Sequence, residues 1–484
     1  MQNPGSRSSL CRRGYTCFGM ETVIGLEIHV QLATRTKLFC RCRADYFAAA
    51  PNTLTCPVCL GMPGALPVPN RRAVEYALRV ALALGSEIQL RSHFDRKNYF
   101  YPDLPKGYQI TQRAVPLAIG GKLSFSLDGE ERSVRIRELH IEEDAGKLIH
   151  TQDGALVDMN RCGVPLVEIV TEPDLRSPRE AREFLRALRT LLRHLGVSSA
   201  DMEKGELRCD ANLSLSQDGE LGTKVEIKNL NSFRGVERAL AKAAQRQAEV
   251  LSRGEQVVQA TYGWDEARGE LVLQREKEEA HDYRYFPEPD LVPLELSSEF
   301  LAQVREGMPE LPWARRDRFI RQYGLSPRDA DTLLAEPELS DYFEQVAAGV
   351  GDGREAANWV LSELLRYWRE GPPVAAQELA QLIQRVREGR VSRTNAKEVL
   401  EEAASSGKPL AKLLEGRALE QVSDEGELRR LAQEAIAAHP QAVADFRAGK
   451  AQALGFLVGQ VMRATRGRAD AKKLSRILKE LLQE

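Results

Sequence analysis

The sequence predicts an α+β domain with a mixed or antiparallel sheet, then an all-α helical domain and a small helical tail. Three observations carry this expectation. Ile24, Leu26, Ile28, Val30 and Leu32 are apolar while Gly25, Glu27, His29 and Gln31 intervene, the period of two that marks a strand with one face in a core. From residue 21 to about residue 295 such short alternating stretches recur between Gly and Pro turns, with helices interspersed. Beyond Pro293 the composition turns to Ala, Glu, Leu and Arg at helical spacing.

Ahead of the first strand, residues 1–19 hold Arg7, Arg12 and Arg13, several serines and no acid, without periodicity. They read as an organellar transit peptide or as sequence upstream of a true start at Met20. The second is preferred because the segment is short and shows no clear amphipathic helix, and either way it is expected outside the fold. On the first strand Glu27 and His29 project side by side from the polar face. A strand presents a carboxylate and an imidazole to one divalent cation in this way, and a solvated outer face is the alternative. Cys40-Arg41-Cys42 and Cys56-Pro57-Val58-Cys59 then form two tight pairs, a spacing that brings four thiolates around one tetrahedral Zn²⁺. Reduced structural cysteines are the competing reading, and without a secretion signal disulfides are not expected. Four thiolates leave no open position, so such a zinc is structural. Cys11, Cys17, Cys162 and Cys209 show no such spacing.

Helices are expected over Ala73–Leu84 and Arg179–His194, the second opened by Ser177-Pro178. Ser133 to Glu142 alternates again and puts Glu138, His140 and Glu142 on one face, with Glu143 and Asp144 extending the acidic run. Glu168 stands alone within Leu166-Val167-Glu168-Ile169-Val170. Burying it unpaired is costly, so it needs a cation or a donor network, and Arg161 is the plain salt-bridge candidate. If the strands bearing Glu27, His29, Glu142, Glu143 and Glu168 are neighbours, they form a mixed site suited to Mg²⁺ or Mn²⁺ gripping phosphate oxygens. Two further stretches crowd bases with amides or rings: Phe94 to Gln109, which holds Lys97 and Lys106, and Gly222 to Phe233, which holds Lys224 and Lys228. Such loops hold anions by charge and stack bases on rings, whereas Tyr99, Phe100 and Tyr101 would equally suit a small local core. No Walker-type phosphate loop is present.

The helical half breaks at Gly407-Lys408-Pro409, giving domains over 20–295, 296–410 and 411–484, the last ending in a helix over Asp470–Leu482. From Arg447 onward nine Lys/Arg stand against three Asp/Glu, so the tail is locally basic. Across 484 residues, 43% hydrophobic and 29% charged residues describe an ordinary globular chain too long for one core. A net charge of -2 argues against a wholly basic nucleic-acid binder, and no run of about 18 apolar residues spans a membrane.

Long strings carry a family resemblance: VIGLEIHVQL from Val23, CPVCLGMPGALPV from Cys56, FDRKNYFYPDLPKGYQI from Phe94, HIEEDAGK from His140, DMNRCGVPLVEIVTEPD from Asp158, MEKGELRCDAN from Met202, KVEIKNLNSF from Lys224, DYRYFPEPDLVPL from Asp282 and GFLVGQVMRATRGRAD from Gly455. In order, and over nearly the whole chain from Glu21, it resembles the B subunits of the tRNA-dependent amidotransferases. These convert misacylated glutamyl-tRNA(Gln) and aspartyl-tRNA(Asn) to glutaminyl- and asparaginyl-tRNA.

The resemblance implies a cradle-shaped α+β catalytic domain, a helical domain and a mobile helical tail that contacts tRNA. It implies ATP and Mg²⁺ used to phosphorylate the side-chain carboxylate on the tRNA, with ammonia then displacing phosphate; an acyl phosphate offers the leaving group that a carboxylate lacks. On the matching strands it implies metal ligands Glu27, His29, Glu142, Glu143 and Glu168, with Glu172 as a further candidate, and catalytic roles for His29, Glu143 and Glu168. Lys97, Lys106 and Lys224 become candidates for nucleotide or substrate, and Arg463, Arg466, Arg468, Lys472, Lys473 and Arg476 for tRNA phosphates, an exposed helix face being the alternative. The chain shows no amidase signature of its own, so a separate amidase (glutaminase) A subunit passing ammonia through a channel, and a small C subunit, are implied as a heterotrimer. The setting is the bacterial cytoplasm, or an organellar matrix if residues 1–19 are a transit peptide. Some relatives lose the two cysteine pairs; this chain keeps all four cysteines, in support of structural zinc. Two other classes compete. A zinc-ribbon RNA-binding protein leaves Glu168 and the Glu27/His29 pair without a role, and a metal-dependent hydrolase would use the same acids.

Overall fold

Aliphatic residues at every second position make Met20–Gln31 a strand (β1) whose Ile24, Leu26, Ile28 and Val30 are buried. The computed structural model describes residues 16–17, 19–217, 220–276, 283–369, 371–415, 425–448, 450, 452–465 and 469–483, in two units, Met1–Leu311 and Pro312–Glu484. Residues 1–15 and 18 lie outside the described residues. Thr16–Cys17, expected outside the fold, pairs antiparallel with Met20 and Glu21.

The first unit continues with α1 (Arg71–Ala83), β2 (Asp95–Asn98), β3 (Tyr108–Thr111), β4 (Glu130–Glu143), β5 (Pro165–Thr171), α2 (Pro178–His194), β6 (Leu207–Gln217), β7 (Val225–Leu230), α3 (Phe233–Ser252), β8 (Ala260–Asp265), β9 (Glu270–Glu276) and α4 (Ser298–Glu306). The large sheet runs β9-β8-β7-β6-β1-β5-β4 and on through Ala118–Ile119 to Glu87–Ile88. From β9 to β4 each pair is antiparallel except β7 with β8. A parallel pair needs a crossover, and α3 lies between those two strands in the chain. This is the expected α+β domain with a mixed sheet, followed by helices.

Pairing separates two faces. Ile28, Val30, Leu139, Ile141, Val167, Ile169, Ala211 and Ile227 join Phe184, Leu188 and Leu192 of α2 and Val236 and Leu240 of α3 in one core. Each fully buried Leu or Ile there stabilises by roughly 1.5–3 kcal/mol. Ser177 caps α2 by accepting from the Glu180 amide, the cap its sequence position announced. The opposite face is left to the polar residues between these apolar ones.

Leu301 and Val304 of α4 join that same core, so the first unit runs to Leu311 instead of ending at 295. The second unit holds α5 (Pro312–Tyr323), α6 (Pro327–Leu334), α7 (Pro337–Val350), α8 (Gly353–Trp359), a π turn over Val360–Leu364, α9 (Ala376–Arg387), α10 (Arg393–Ser406), α11 (Leu410–Glu415), α12 (Glu425–Ala438), α13 (Pro440–Arg447), α14 (Gln452–Ala464) and α15 (Ala471–Gln483). Gly407, at φ +68°, ends α10 where the break was expected. Leu410 and Leu413 of α11 nevertheless pack into the core built on Phe319, Phe343 and Trp359. A third core, from Leu428 to Leu482, belongs to α12, α14 and α15. Among the described residues, no helix is long and apolar enough to cross a membrane.

Candidate active site

Antiparallel register builds the site. Glu168 of β5 stands opposite His29 of β1 on one side and opposite His140 of β4 on the other. The same ladders set Val170 beside both Glu27 and Glu138, and Leu166 beside both Gln31 and Glu142. On the far side of β1, Arg208 lies opposite His29 and Asp210 opposite Glu27. Four strands drawn from residues 20 to 217 thus bring five carboxylates, Glu27, Glu138, Glu142, Glu168 and Asp210, and two imidazoles onto one face.

Glu168 Oε2 lies 2.9 Å from His140 Nε2 and 3.4 Å from His29 Nε2, and His29 Nε2 lies 3.3 Å from Glu142 Oε1. Burial opposes the charge on Glu168, His29 and His140, but the two imidazoles overrule it and hold the Glu168 carboxyl well below the usual range. In return Glu168 and Glu142 raise His29 well above its ordinary value, and His140 also rises, both against burial. Glu27 is pushed up to about 7 by burial and by its neighbour Glu168. The salt bridge from Glu168 to Arg161 does not form: Arg161 donates to the Ala145 and Gly146 carbonyls and lies 3.7 Å from Asp144.

Two buried atoms in this cluster, Glu142 Oε2 and His140 Nδ1, have no hydrogen-bond partner. Ligand atoms of Glu27, His29 and Glu168 lie within 4.8 Å of one another, as do those of His140, Glu142 and Glu168. Carboxylate oxygens with imidazole, one oxygen left unpartnered, fit a Mg²⁺ or Mn²⁺ ion. His29 and Glu142 open onto a cavity of about 330 Å³, lined also by Lys97, Gln109, Arg208, Asp210 and Lys228. Arg208 is held by Asp144 at 2.8 Å and Lys228 by Asp210 at 2.8 Å. Lys97, its ammonium over the Tyr283 ring at 5.3 Å, keeps its proton against burial because Glu142 and Glu168 face it.

The other expected residues lie elsewhere. Glu143 belongs to neither cluster: its side chain leaves β4 on the face opposite Glu142, where it binds Lys106 and accepts from the Ile110 amide at 3.0 Å. Lys106 therefore sits with Glu143 in a separate cavity of about 200 Å³. Lys224 lines a third cavity, of about 330 Å³, with Glu27 and Arg137. Glu172 follows β5, half-buried, and joins neither cluster. Phe100 and Tyr101 are 81% and 63% exposed, so they form no local core. His140, Arg208 and Asp210 were not among the expected site residues, although His140 shares its face with Glu142 at a spacing of two.

Cys40, Cys42, Cys56 and Cys59 bring their Sγ atoms within 4.8 Å of one another. Four sulfurs around Zn²⁺ at Zn–S of about 2.3 Å would lie about 3.8 Å apart, so the set fits. The Cys59 thiol is drawn down to about 5, first by its hydrogen bond with Cys40, while burial pushes Cys42 up to about 11. Of the basic tail residues, Arg463, Lys472, Lys473 and Arg476 are exposed on α14 and α15, and Arg466 and Arg468 lie outside the described residues.

Residues 22–302 match the family described as the GatB/GatE catalytic domain, and residues 341–482 match a second one described as the GatB domain. The first match spans more than half of the chain and includes both acid-imidazole clusters and the four cysteines. The chain belongs to the family of aspartyl/glutamyl-tRNA(Asn/Gln) amidotransferase B subunits. Its similarity to the B subunit of Thermomicrobium roseum is 54% identity over 477 residues, 96% of this chain and 99% of that one. The Thermotoga maritima B subunit is 49% identical over 475 residues, covering 95% and 98%. That of Persephonella marina is 48% identical over 472 residues, covering 96% and 99%. In sequence, the catalytic-domain match covers the strands that bear both clusters.

Proposed function

We propose that the chain is the ATP-dependent subunit of a tRNA amidotransferase, which activates the side-chain carboxylate of Glu-tRNA(Gln) or Asp-tRNA(Asn) and amidates it. The observation that carries this reading is Glu168 clasped between His29 and His140 beside the unpartnered Glu142 Oε2, with His29 and Glu142 in the wall of a cavity lined also by Lys97, Arg208 and Lys228. In this reading Glu27, His29, Glu142 and Glu168 hold the metal. When bound, the metal would supply charge neutralisation for phosphoryl transfer. His140 fixes Glu168, and Asp144 and Asp210 orient Arg208 and Lys228. Lys97 places an ammonium where the transferred phosphoryl group carries its charge.

The substrate carboxylate attacks the γ-phosphorus, the bond to ADP breaks, and an acyl phosphate remains. Ammonia then adds to that carbonyl and inorganic phosphate leaves, forming the carbon–nitrogen bond of the amide. The relatives are named as subunits, and releasing ammonia from glutamine is a second reaction that a partner would supply. An amidase A subunit and a small C subunit in a heterotrimer meet that need, with α14 and α15 offering cations to tRNA phosphates. Such an assembly works in the cytoplasm. Reconstitution with these partners, glutamine, ATP, Mg²⁺ and misacylated tRNA should yield amidated tRNA, and His29→Ala should abolish it. Full activity in that variant would refute the site.

A further inference from the structure

Lys37 is fully buried, at 0% exposure, in the loop that follows β1. A lysine there must find compensation for its charge, because moving an ammonium from water into protein costs several kcal/mol. Its Nζ donates to the Leu54 carbonyl at 2.7 Å and the Met159 carbonyl at 3.5 Å, and lies 3.7 Å from Cys59 Sγ. Among the described residues no carboxylate lies within 4.0 Å of it. Glu143 lines the same cavity, where its Oε1 is bound by Lys106 and accepts from the Ile110 amide. Carbonyls satisfy the donors of the ammonium without balancing its charge. Four neutral thiols would not balance it either.

Gly163 borders the same contact. At φ +83°, a Cβ added there would meet Cys59 Cβ at 3.4 Å and Lys37 Cδ at 3.6 Å. Next to it, buried Cys162 donates its thiol to the Cys59 carbonyl at 3.2 Å.

We infer that Lys37 is the counter-cation of the Cys40/Cys42/Cys56/Cys59 centre. This rests on the zinc reading of that cluster: Zn²⁺ with four thiolates carries a net charge of minus two, and a buried ammonium on one sulfur offsets half of it. Lys37 is therefore a positioning residue that sets the affinity for the metal without being a ligand, the role that groups bonded to metal ligands commonly play.

The test uses the full chain and zinc alone as the probe. Zinc content per chain is measured first, then competition against a chromophoric chelator for wild type and Lys37→Met. The expected result is one zinc in the wild type and an affinity at least tenfold lower in the variant. A wild type without zinc would defeat the zinc reading and this inference together. Zinc held with equal affinity in both chains would defeat the inference alone. The second measurement is thermal unfolding of Lys37→Met in a chain whose four cysteines are all Ala. With no thiolates to face, losing the ammonium should raise the melting temperature there. A drop instead would show that Lys37 serves only the two carbonyls and overturn the inference, including where Lys37→Met fails to fold in the natural background.

Discussion

Glu142 and Glu143 are consecutive on β4 and face opposite sides of the sheet: Glu142 Oε1 lies 3.3 Å from His29 Nε2, while Glu143 is bound by Lys106 in another cavity. A strand turns each residue to the face opposite its neighbour's, so two adjacent acids cannot share one ion through both side chains on a regular strand. Glu142→Gln is therefore expected to weaken Mn²⁺ binding, followed by electron paramagnetic resonance, by about 10- to 100-fold. Glu143→Gln should leave that binding within about twofold. Equal losses in the two variants would return Glu143 to the metal.

The cysteine loop makes a separate prediction. Cys56→Ser removes one of four sulfurs that lie within 4.8 Å. Its zinc content should fall below one per chain, and the melting temperature of the first unit should fall with it. Calorimetry with elemental analysis on the same sample checks both, and an unchanged melting temperature would show that the loop does not brace the sheet.

Truncation after Glu415 spares Leu410 and Leu413, which belong to the second core, and removes the third core with its exposed Arg463, Lys472, Lys473 and Arg476. The shortened chain should keep ATP turnover on the first unit. Its tRNA affinity should drop and its log-log salt slope flatten, by about 0.9 for each duplex phosphate that the tail no longer neutralises. Filter binding across a salt series reads this, and an unaltered slope would remove the tail from the tRNA interface.

In the second unit Glu344 is held below the usual carboxylate range. Burial opposes its charge, and hydrogen bonds and charge from Arg318 and Arg315 overrule burial. A depressed folded value means that the group stabilises above its unfolded value of about 4.3 and that this contribution is lost as pH falls through the folded value. Glu344→Gln should lower the melting temperature at pH 7, and the gap to wild type should close as pH falls below about 4. A gap that stays constant down to pH 3 would mean that the ion pairs contribute nothing.

Single-strand features of the site were legible: the alternation around Glu27 and His29, the lone Glu168 in an apolar run, and the spacing of the cysteine pairs. What joins strands was not. Glu168 meets both His29 and His140 through ladders between residues far apart in the chain, and no local period encodes that register. The same gap explains the misplacement of Glu143 with Glu142, since its true partner Lys106 comes from the loop before β3. It also explains why Lys106 and Lys224 looked like companions of Lys97 yet line different cavities. Lys37 carried no signal because nothing near it in sequence tells a buried lysine from an exposed one. The boundary after Leu311, not 295, follows from Leu301 and Val304, whose helix looks like those after it but packs into the first core.

Carboxylate activation at the Glu27, His29, Glu142 and Glu168 cluster is the central claim, and oxygen transfer tests it most directly. Glu-tRNA(Gln) with ¹⁸O in the side-chain carboxylate is turned over by the reconstituted complex, and the inorganic phosphate is analysed by mass spectrometry. One ¹⁸O per phosphate, lost along with amide formation in His29→Ala, is the predicted result. Phosphate free of ¹⁸O while amidated tRNA accumulates would contradict it.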